Sequence, residues 1–238
     1  GVVAVVAGAR GLAGVAAVQE AHWKRLGATP EGWRSGRDAL MTYLAINNAE
    51  TLAKAAAIGE DMLDKLPAGP TATVAGWYAV DAQERLSQWA KANQVALKLL
   101  GKSPPADPKM VQNLHYRVAE NYSRLTQRVN AVDGWRKALG VPNVPPRADI
   151  HMRLIEELVQ TNPKVPEIEP VVNDYVAKYP ERQDKYAAQI RLAGAMIANK
   201  DVARAEQVLA AVLPFEARAH SAASAYSALF GAEADKNV

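Results

Sequence analysis

The stretch AENYSRLTQRVNAVDGWRKALGVP, residues 119–142, decides the fold class. Small and aromatic residues recur in it at spacings of three and four: Ala119 with Tyr122, then Ala131, Trp135 and Ala138. Such spacing puts residues on one face of a helix. The alanines let two helix backbones touch, the aromatic rings fill the gap to the next element, and Pro142 ends the pattern. The stretch predicts two closely packed helices.

Helical stretches elsewhere in the chain also end at prolines. Proline lacks an amide N–H and clashes with the preceding turn, so it stops a helix. The closing prolines lie 37, 38, 38 and 34 residues apart and are Pro67, Pro104, Pro142, Pro180 and Pro214. Regular stops at this period predict a stack of helix pairs. We expect the pairs at 37–66, 71–100, 110–139, 148–178 and 182–213, with a closing helix at 215–230.

The composition favours an all-α protein. Of 238 residues, 49% are hydrophobic and only 6% aromatic, alanine is abundant, and alternating β-branched segments are scarce. The chain contains no cysteine, which excludes disulfides, thiolate metal sites and covalent haem attachment. The net charge is +3, and the basic excess lies in residues 108–145, with six basic and two acidic side chains. Nucleic-acid binding normally needs a larger basic field, so we expect none.

The third pair resembles a tetratricopeptide repeat (TPR). Its residues Ala119, Tyr122, Ala131, Trp135 and Ala138 fall where that family has its small and aromatic positions, and Pro142 lies near the family's terminal proline. The resemblance is best over 108–145, looser over 146–214, and rests on the period alone over 37–104. It implies antiparallel helix pairs stacked as a right-handed α-solenoid, with the first helix of each pair lining a groove that holds a peptide or partner helix.

The resemblance also implies a set of partner-binding residues on the first helix of the third pair. Offsets of four, three and four place three arginines and an asparagine on one stripe, and arginine binds carboxylates through two nitrogens. The alternative is an ordinary solvated face paired with neighbouring acidic side chains. The candidates are Asn113, Tyr116, Arg117, Glu120, Asn121, Arg124 and Arg128.

The first 18 residues carry one charge, Arg10, among Gly, Ala, Val and Leu. Three interpretations stay open: a membrane-spanning or signal-anchor helix, a retained signal segment, or a buried first helix of the array. The first predicts membrane contact through Val2, Val3, Val5, Val6, Leu12, Val15, Val18 and Trp23. We therefore divide the chain into an apolar N-terminal helix at 1–26, a linker at 27–36, a repeat domain at 37–231 and a flexible tail at 232–238.

No pattern in the sequence indicates catalysis. The four histidines His22, His115, His151 and His220 lack a partner at helical metal-site spacing. The carboxylate pairs Glu156 with Glu157 and Glu167 with Glu169 fit solvated faces and a helix N-terminus, and there is no phosphate-binding glycine loop. We expect no enzyme activity, cofactor or metal.

These patterns favour a protein-interaction scaffold. We expect a membrane-tethered or envelope-associated subunit of a larger bacterial complex, on a membrane side that the sequence leaves open, or else a soluble periplasmic or cytoplasmic protein. Its partners are other proteins. The alternative function is the non-catalytic helical part of a larger enzyme, such as a lytic transglycosylase or a membrane protease.

Overall fold

The computed structural model describes the backbone of residues 2–161 and 163–212 and the side chains of residues 11–161 and 163–212. This part of the chain folds into eleven helices without a strand, which confirms the all-α prediction. The expected closing helix at 215–230 and tail at 232–238 lie outside the described residues. The helices are α1 (Val2–Leu26), α2 (Pro30–Ile46), α3 (Ala49–Lys65), α4 (Pro70–Arg85), α5 (Trp89–Lys102), α6 (Pro108–Arg124), α7 (Arg128–Leu139), α8 (Ala148–Thr161), α9 (Val165–Lys178), α10 (Lys185–Ala198) and α11 (Val202–Val212).

The periodic prolines do end helices. Helices α3, α5, α7 and α9 stop two or three residues before Pro67, Pro104, Pro142 and Pro180. Helix α11 is described as far as Val212, and the expected stop at Pro214 lies outside the described residues. Each of the four stops at Pro67, Pro104, Pro142 and Pro180 follows from the missing amide of proline and from the restriction it imposes on the residue before it.

The turns inside the helix pairs follow a different rule. In four of them a non-glycine residue adopts a positive φ: Asn47 (57°), Ser87 (57°), Thr126 (58°) and Lys200 (63°). After Ser87, Thr126 and Lys200, the next residue along the chain donates its N–H across the turn to the fifth residue before it, and the three N···O distances are each 2.9 Å. This is the Schellman type of helix ending, which satisfies carbonyls left free at a helix C-terminus.

The segment 27–36, expected to be a linker, is mostly helical. Thr29 caps α2 by accepting a hydrogen bond from the Gly32 amide at 3.1 Å, and Pro30 occupies the first helical position. Proline is favoured there because its missing N–H is not needed and its φ is already helical. Helix α2 consequently starts seven residues before the predicted Arg37.

The described helices divide into two compact units. One contains α1–α6 with Val141–Val144, and the other contains α7–α11. The prediction of one continuous repeat domain over 37–231 stays a prediction. In the first unit each helix packs on the next, and α2 also contacts α4. In the second unit the helices again pack in sequence, and α8 also contacts α10.

Small residues allow the closest approaches in the first unit. A Cβ added at Gly59 of α3 would lie 2.8 Å from the Ala75 carbonyl oxygen and from the Ala79 Cβ of α4. Ala75 and Ala79 are themselves buried. The α3–α4 crossing therefore depends on the absence of a side chain at Gly59.

Polar contacts fix the loops at one end of the first unit. Ser103, which follows α5, accepts the Gly69 amide at 2.9 Å and donates to the Gly69 carbonyl at 3.0 Å. Thr73 of α4 donates to the Ser103 carbonyl at 3.0 Å. Lys102 donates to the carbonyls of Leu63 and Asp64 at the end of α3. These bonds hold the two proline-terminated loops of consecutive pairs together.

The second unit has its own core. Its alanine and aromatic positions from the deciding stretch, Ala131, Trp135 and Ala138, are fully buried. They are joined there by large side chains from the later helices, which are Ile150, Leu154, Ile155, Ile168, Tyr175, Leu192, Met196 and Leu209. Alanine and tryptophan of the deciding stretch are thus core residues of the second unit, whereas the close α6–α7 packing expected from the sequence stays a prediction.

Candidate protein-binding face

The predicted stripe on α6 makes ordered contacts with α4. The Arg117 guanidinium donates to both oxygens of Glu84, with Nη2 to Oε2 at 2.8 Å and Nε to Oε1 at 3.1 Å. Asn121 donates to the other Glu84 oxygen at 2.9 Å. The Arg117 side chain is 14% exposed and Glu84 is 21% exposed. Glu84 therefore binds two of the predicted ligand-facing side chains inside the protein.

Two tryptophans extend this arrangement. The Arg117 guanidinium carbon lies 5.0 Å from the centre of the Trp77 ring, and that of Arg124 lies 4.5 Å from the Trp89 ring. Cations over aromatic faces are attracted by the ring quadrupole. Arg124 is about half exposed and also pairs with Glu120 at 3.4 Å. Arg124 is therefore positioned by Trp89 while much of its charge still faces outward.

The remaining predicted residues divide into three groups. Asn113 and Tyr116 are partly exposed on α6. Asn121 is 1% exposed, so the expectation that it faces a partner needs correction: its amide is used inside the protein. Arg128 does not continue the stripe, because α6 ends at Arg124 and Arg128 begins α7, where it pairs with Glu157 at 3.2 Å.

A pocket between α2 and α4 was not predicted. Its volume is about 340 Å³ and its lining is mostly apolar, with two aromatic side chains and one cation. We call it the α2/α4 pocket, and its lining residues are Trp33, Arg37, Leu40, Met62, Pro70, Thr71, Val74, Ala75 and Tyr78. Its size and composition are those of protein sites that hold a small molecule or an inserted side chain.

The rim of the α2/α4 pocket combines apolar exposure with charge. Val74, an apolar side chain on the rim, is 40% exposed. The Arg37 guanidinium lies 5.3 Å from the Trp33 ring centre and donates to Asp38 at 2.9 Å. A neighbouring cavity of about 310 Å³ shares Trp33, Pro70 and Thr71 with the pocket. The apolar surface thus continues past Trp33.

The residues that line the α2/α4 pocket have helical spacing in the sequence. Trp33 and Arg37 are four residues apart on α2, and Thr71, Val74 and Tyr78 follow helical spacing on α4. The spacing alone does not distinguish a pocket rim from a packed stripe. The distinction needed the α2–α4 contact, which is a tertiary fact.

Known structures are similar to this chain in fold. The TPR protein YrrB, described with an unusual peptide-binding site, gives a TM-score of 0.54 at 13% identity, covering 78% of this chain and 91% of its own. Nearly identical TPR-like repeats of a Podosopora anserina protein assigned as a kinesin light chain give 0.50 at 17% identity, covering 79% and 95%. No family model matches the sequence, and no curated protein does.

The chain has a TPR-like fold. Three observations agree on this: the eleven helices of the described residues, the regular spacing of the prolines, and the similarity to solved TPR structures. Together they confirm the fold that the resemblance implied. In this TPR-like arrangement α2, α4 and α6 are the first helices of consecutive pairs in the first unit. The α2/α4 pocket and the α6 stripe both lie on these first helices.

The N-terminal helix of the TPR-like chain has two unlike faces. Leu12, Val15 and Val18 are 52%, 54% and 59% exposed. Trp23 is 1% exposed, and its indole N–H donates to Asp61 at 2.8 Å, so its expected place as an interfacial anchor needs correction. The side chains of Val2, Val3, Val5 and Val6 are outside the described residues. Among the helices the structure describes, none is long and apolar enough to cross a membrane.

The carboxylate pairs of the second unit are bound by arginines. Glu156 accepts from Arg191 at 2.8 Å, and Glu169 from Arg204 at 2.5 Å. Glu157 is buried against Arg128. The Arg128–Glu157 pair links α7 to α8, and the other two link α8 to α10 and α9 to α11. Glu157 is 6% exposed, so it does not lie on a solvated face.

His151 of the same unit is also bound in place. Its Nε2 lies 3.0 Å from an Asp174 oxygen, and its ring contacts Tyr179 edge to face. The Lys178 and His151 hydrogen bonds outweigh burial and hold the pKa of the Asp174 carboxyl below its usual value. Across residues 11–161 and 163–212, no three histidine or carboxylate side chains gather as a metal site would require.

Proposed function

We propose that this TPR-like chain is a non-enzymatic scaffold that binds an extended segment of a partner protein across α2, α4 and α6. The observation that carries the proposal is the α2/α4 pocket, which offers about 340 Å³ of largely apolar space beside two aromatic rings. A single apolar side chain of a peptide fits a space of this kind and would anchor the segment.

Helix α6 supplies the polar half of the same face. Arg117 joins α6 to α4 through Glu84 near the end of α4, and the pocket is lined by the first half of the same helix. Arg124 keeps about half of its surface exposed, and Asn113 and Tyr116 are partly exposed beside it. Such groups bind the main chain and the carboxylates of an extended peptide. YrrB, which is similar in fold, is described with a peptide-binding site.

A peptide selection tests this function. A phage-displayed random library is selected on the intact chain, and the enriched peptide is measured by fluorescence anisotropy. Val74→Arg should abolish binding, because Val74 is 40% exposed on the pocket rim. Leu97→Arg is the matched control, since Leu97 is 44% exposed on α5 and does not line the pocket. Equal loss in both variants, or no enriched peptide, would overturn the proposal.

We propose in addition that α1 attaches the scaffold to a membrane surface, as part of an envelope-associated assembly. The supporting observation is the exposed apolar set Leu12, Val15 and Val18, in a segment from Gly11 to Val18 that carries no charge. Apolar helix faces of this type lie in the interfacial region of a bilayer. The larger bacterial complex expected from the sequence stays a prediction.

Vesicle flotation separates this role from a purely soluble scaffold. The intact chain should float with phosphatidylcholine vesicles that contain anionic lipid, and replacing Leu12, Val15 and Val18 by glutamine should remove it from the floating fraction. Val129→Gln, at a 71% exposed position of α7, is the control and should float. A chain that never floats would contradict the membrane role without affecting peptide binding.

A further inference from the structure

A second groove lies between α3 and α5, on surface that the α2/α4 pocket does not use. Its volume is about 500 Å³, and it has no lining residue in common with that pocket. Its lining comes from α3, from the end of α4 and from α5, as Ala53, Ala56, Ala57, Glu60, Leu63, Gln83, Leu86, Gln88, Lys91, Gln94, Val95 and Lys98. We call it the α3/α5 groove. The proposed peptide-binding function does not account for it.

The α3 side of the groove is shaped to receive a helix. From Ala53 to Leu63 it runs along α3 for ten residues, which is about 15 Å at the helical rise. Ala53 and Ala57 are exposed on this side of the groove, and small residues allow a second helix to approach closely. An amphipathic helix of two to three turns matches this length.

The α5 side of the groove carries positive charge at helical spacing. Lys91 and Lys98 are seven residues apart, or about 10.5 Å along α5. Lys91 is exposed and forms no ion pair among the described residues, whereas Lys98 pairs with Asp64. Acidic side chains seven residues apart on a docked helix have the same spacing and would lie opposite the two lysines.

Gln83, near the end of α4, lies on the floor of the groove, and only one of its two side-chain amide atoms has a hydrogen-bond partner. Gln83 is 6% exposed, and its Nε2 donates to Glu60 at 2.6 Å. Its Oε1 is buried without a hydrogen-bond partner in the structure. A buried acceptor without a donor is costly, so the floor gains from a ligand that supplies one.

We propose that the α3/α5 groove binds an acidic amphipathic helix of a partner protein. The helix lays its alanine and leucine face on Ala53 and Ala57, and carboxylates at positions i and i+7 face Lys91 and Lys98. The chain would then bind two partner segments at once, one on the first helices of the pairs and one between the second helices.

Two designed peptides of 18 residues test the proposal by fluorescence anisotropy with the intact chain. Both carry an alanine and leucine stripe; one has glutamate at i and i+7 and the other has lysine. The acidic peptide should bind at least tenfold more tightly, and added salt should weaken it. Lys91→Glu should reverse the preference. Equal binding of the two peptides, or no saturation by the acidic one below about 1 mM, would overturn the proposal.

Steric and specificity controls complete the test. Ala57→Arg should block the groove, because Ala57 is exposed on its floor and arginine is a good helix former. Val74→Arg should leave acidic-helix binding unchanged while removing peptide binding at the α2/α4 pocket, so the two proposals fail separately. If sedimentation shows a dimer that Ala57→Arg dissolves, the occupant is a second copy of this chain and the partner-helix proposal is wrong.

Discussion

Arg117 of α6 binds Glu84 of α4 through two nitrogens, and the two residues are 33 positions apart in sequence. Other polar contacts between consecutive repeats have nearly the same separation. Gly69 and Ser103 are 34 positions apart, and both Glu156 with Arg191 and Glu169 with Arg204 are 35 apart. The repeat period therefore governs polar contacts as well as helix stops, and each of these contacts joins one pair to the next.

We expect Arg117→Ala to lower the free energy of unfolding by about 1.5–3 kcal/mol. The substitution leaves Glu84, which is only 21% exposed, with Asn121 as its remaining hydrogen-bond donor on α6. Urea denaturation followed by circular dichroism measures the change. Arg124→Ala is the control and should cost less than about 1 kcal/mol, since Arg124 is 49% exposed.

A second substitution at the partner tests the mechanism of this loss. Glu84→Gln in the Arg117→Ala background removes the uncompensated charge and should recover part of the lost stability. Strictly additive losses in the two single variants and the double variant would contradict a direct Arg117–Glu84 coupling.

Gly59→Ala should destabilise the first unit by about 1–3 kcal/mol. The new Cβ would lie 2.8 Å from the Ala75 carbonyl oxygen, and backbone cannot move aside as the end of a flexible side chain can. Gly101→Ala on α5 is the control, because nothing lies within 4 Å of its added Cβ. The control should be neutral or slightly stabilising. Equal thermal midpoints for the two variants would refute the close approach at Gly59.

The sequence predicted the helix stops at prolines, but not the positive φ of the turns within pairs. A proline stop follows from the residue itself, as at Pro67 and Pro142. The turns at Ser87, Thr126 and Lys200 contain no proline and no glycine, so nothing in the local sequence marks the residue with a positive φ.

The sequence placed the candidate residues on one face of a helix, but it did not predict which residues they contact. The stripe on α6 was identified from spacing, but the partner of Arg117 lies 33 residues earlier, and spacing within one helix carries no information on it. The same limit hid the α2/α4 pocket, since Trp33 and Val74 belong to different helices. Contacts between repeats follow from tertiary packing and not from periodicity within one element.

Replacing the left-handed residues of the turns by glycine should stabilise the chain. A non-glycine residue at positive φ pays a steric cost that glycine avoids, so Ser87→Gly and Lys200→Gly should each raise the free energy of unfolding by about 0.5–1 kcal/mol. Asn47, with a φ of 57°, is the control, because asparagine tolerates this conformation. Asn47→Gly should change stability by a few tenths of a kcal/mol at most. A loss in all three variants would mean that the side chains, and not the backbone, stabilise these turns.

Alkaline pH should destabilise the second unit through Tyr175. Burial raises the pKa of the Tyr175 hydroxyl to about 12, and its hydrogen bond to Asp184, at 2.5 Å, adds to the increase. Because the folded-state pKa is above the unfolded value of 10.0, the protonated hydroxyl stabilises the fold fully below pH 10. That stability is lost as the pH rises from 10 to 12.

Denaturation at a series of pH values measures this loss. The free energy of unfolding should fall between pH 10 and 12, and the fall should be smaller in Tyr175→Phe, which has no hydroxyl to ionise. Tyr186→Phe, at a half-buried position of α10, is the control for the removal of a tyrosine hydroxyl elsewhere in the second unit. Burial also raises the pKa of Tyr43, in the first unit, to about 12. Tyr43 is present in both variants, so it contributes equally to the pH dependence of each. If Tyr175→Phe and Tyr186→Phe have the same slope, Tyr175 is not a source of the alkaline loss.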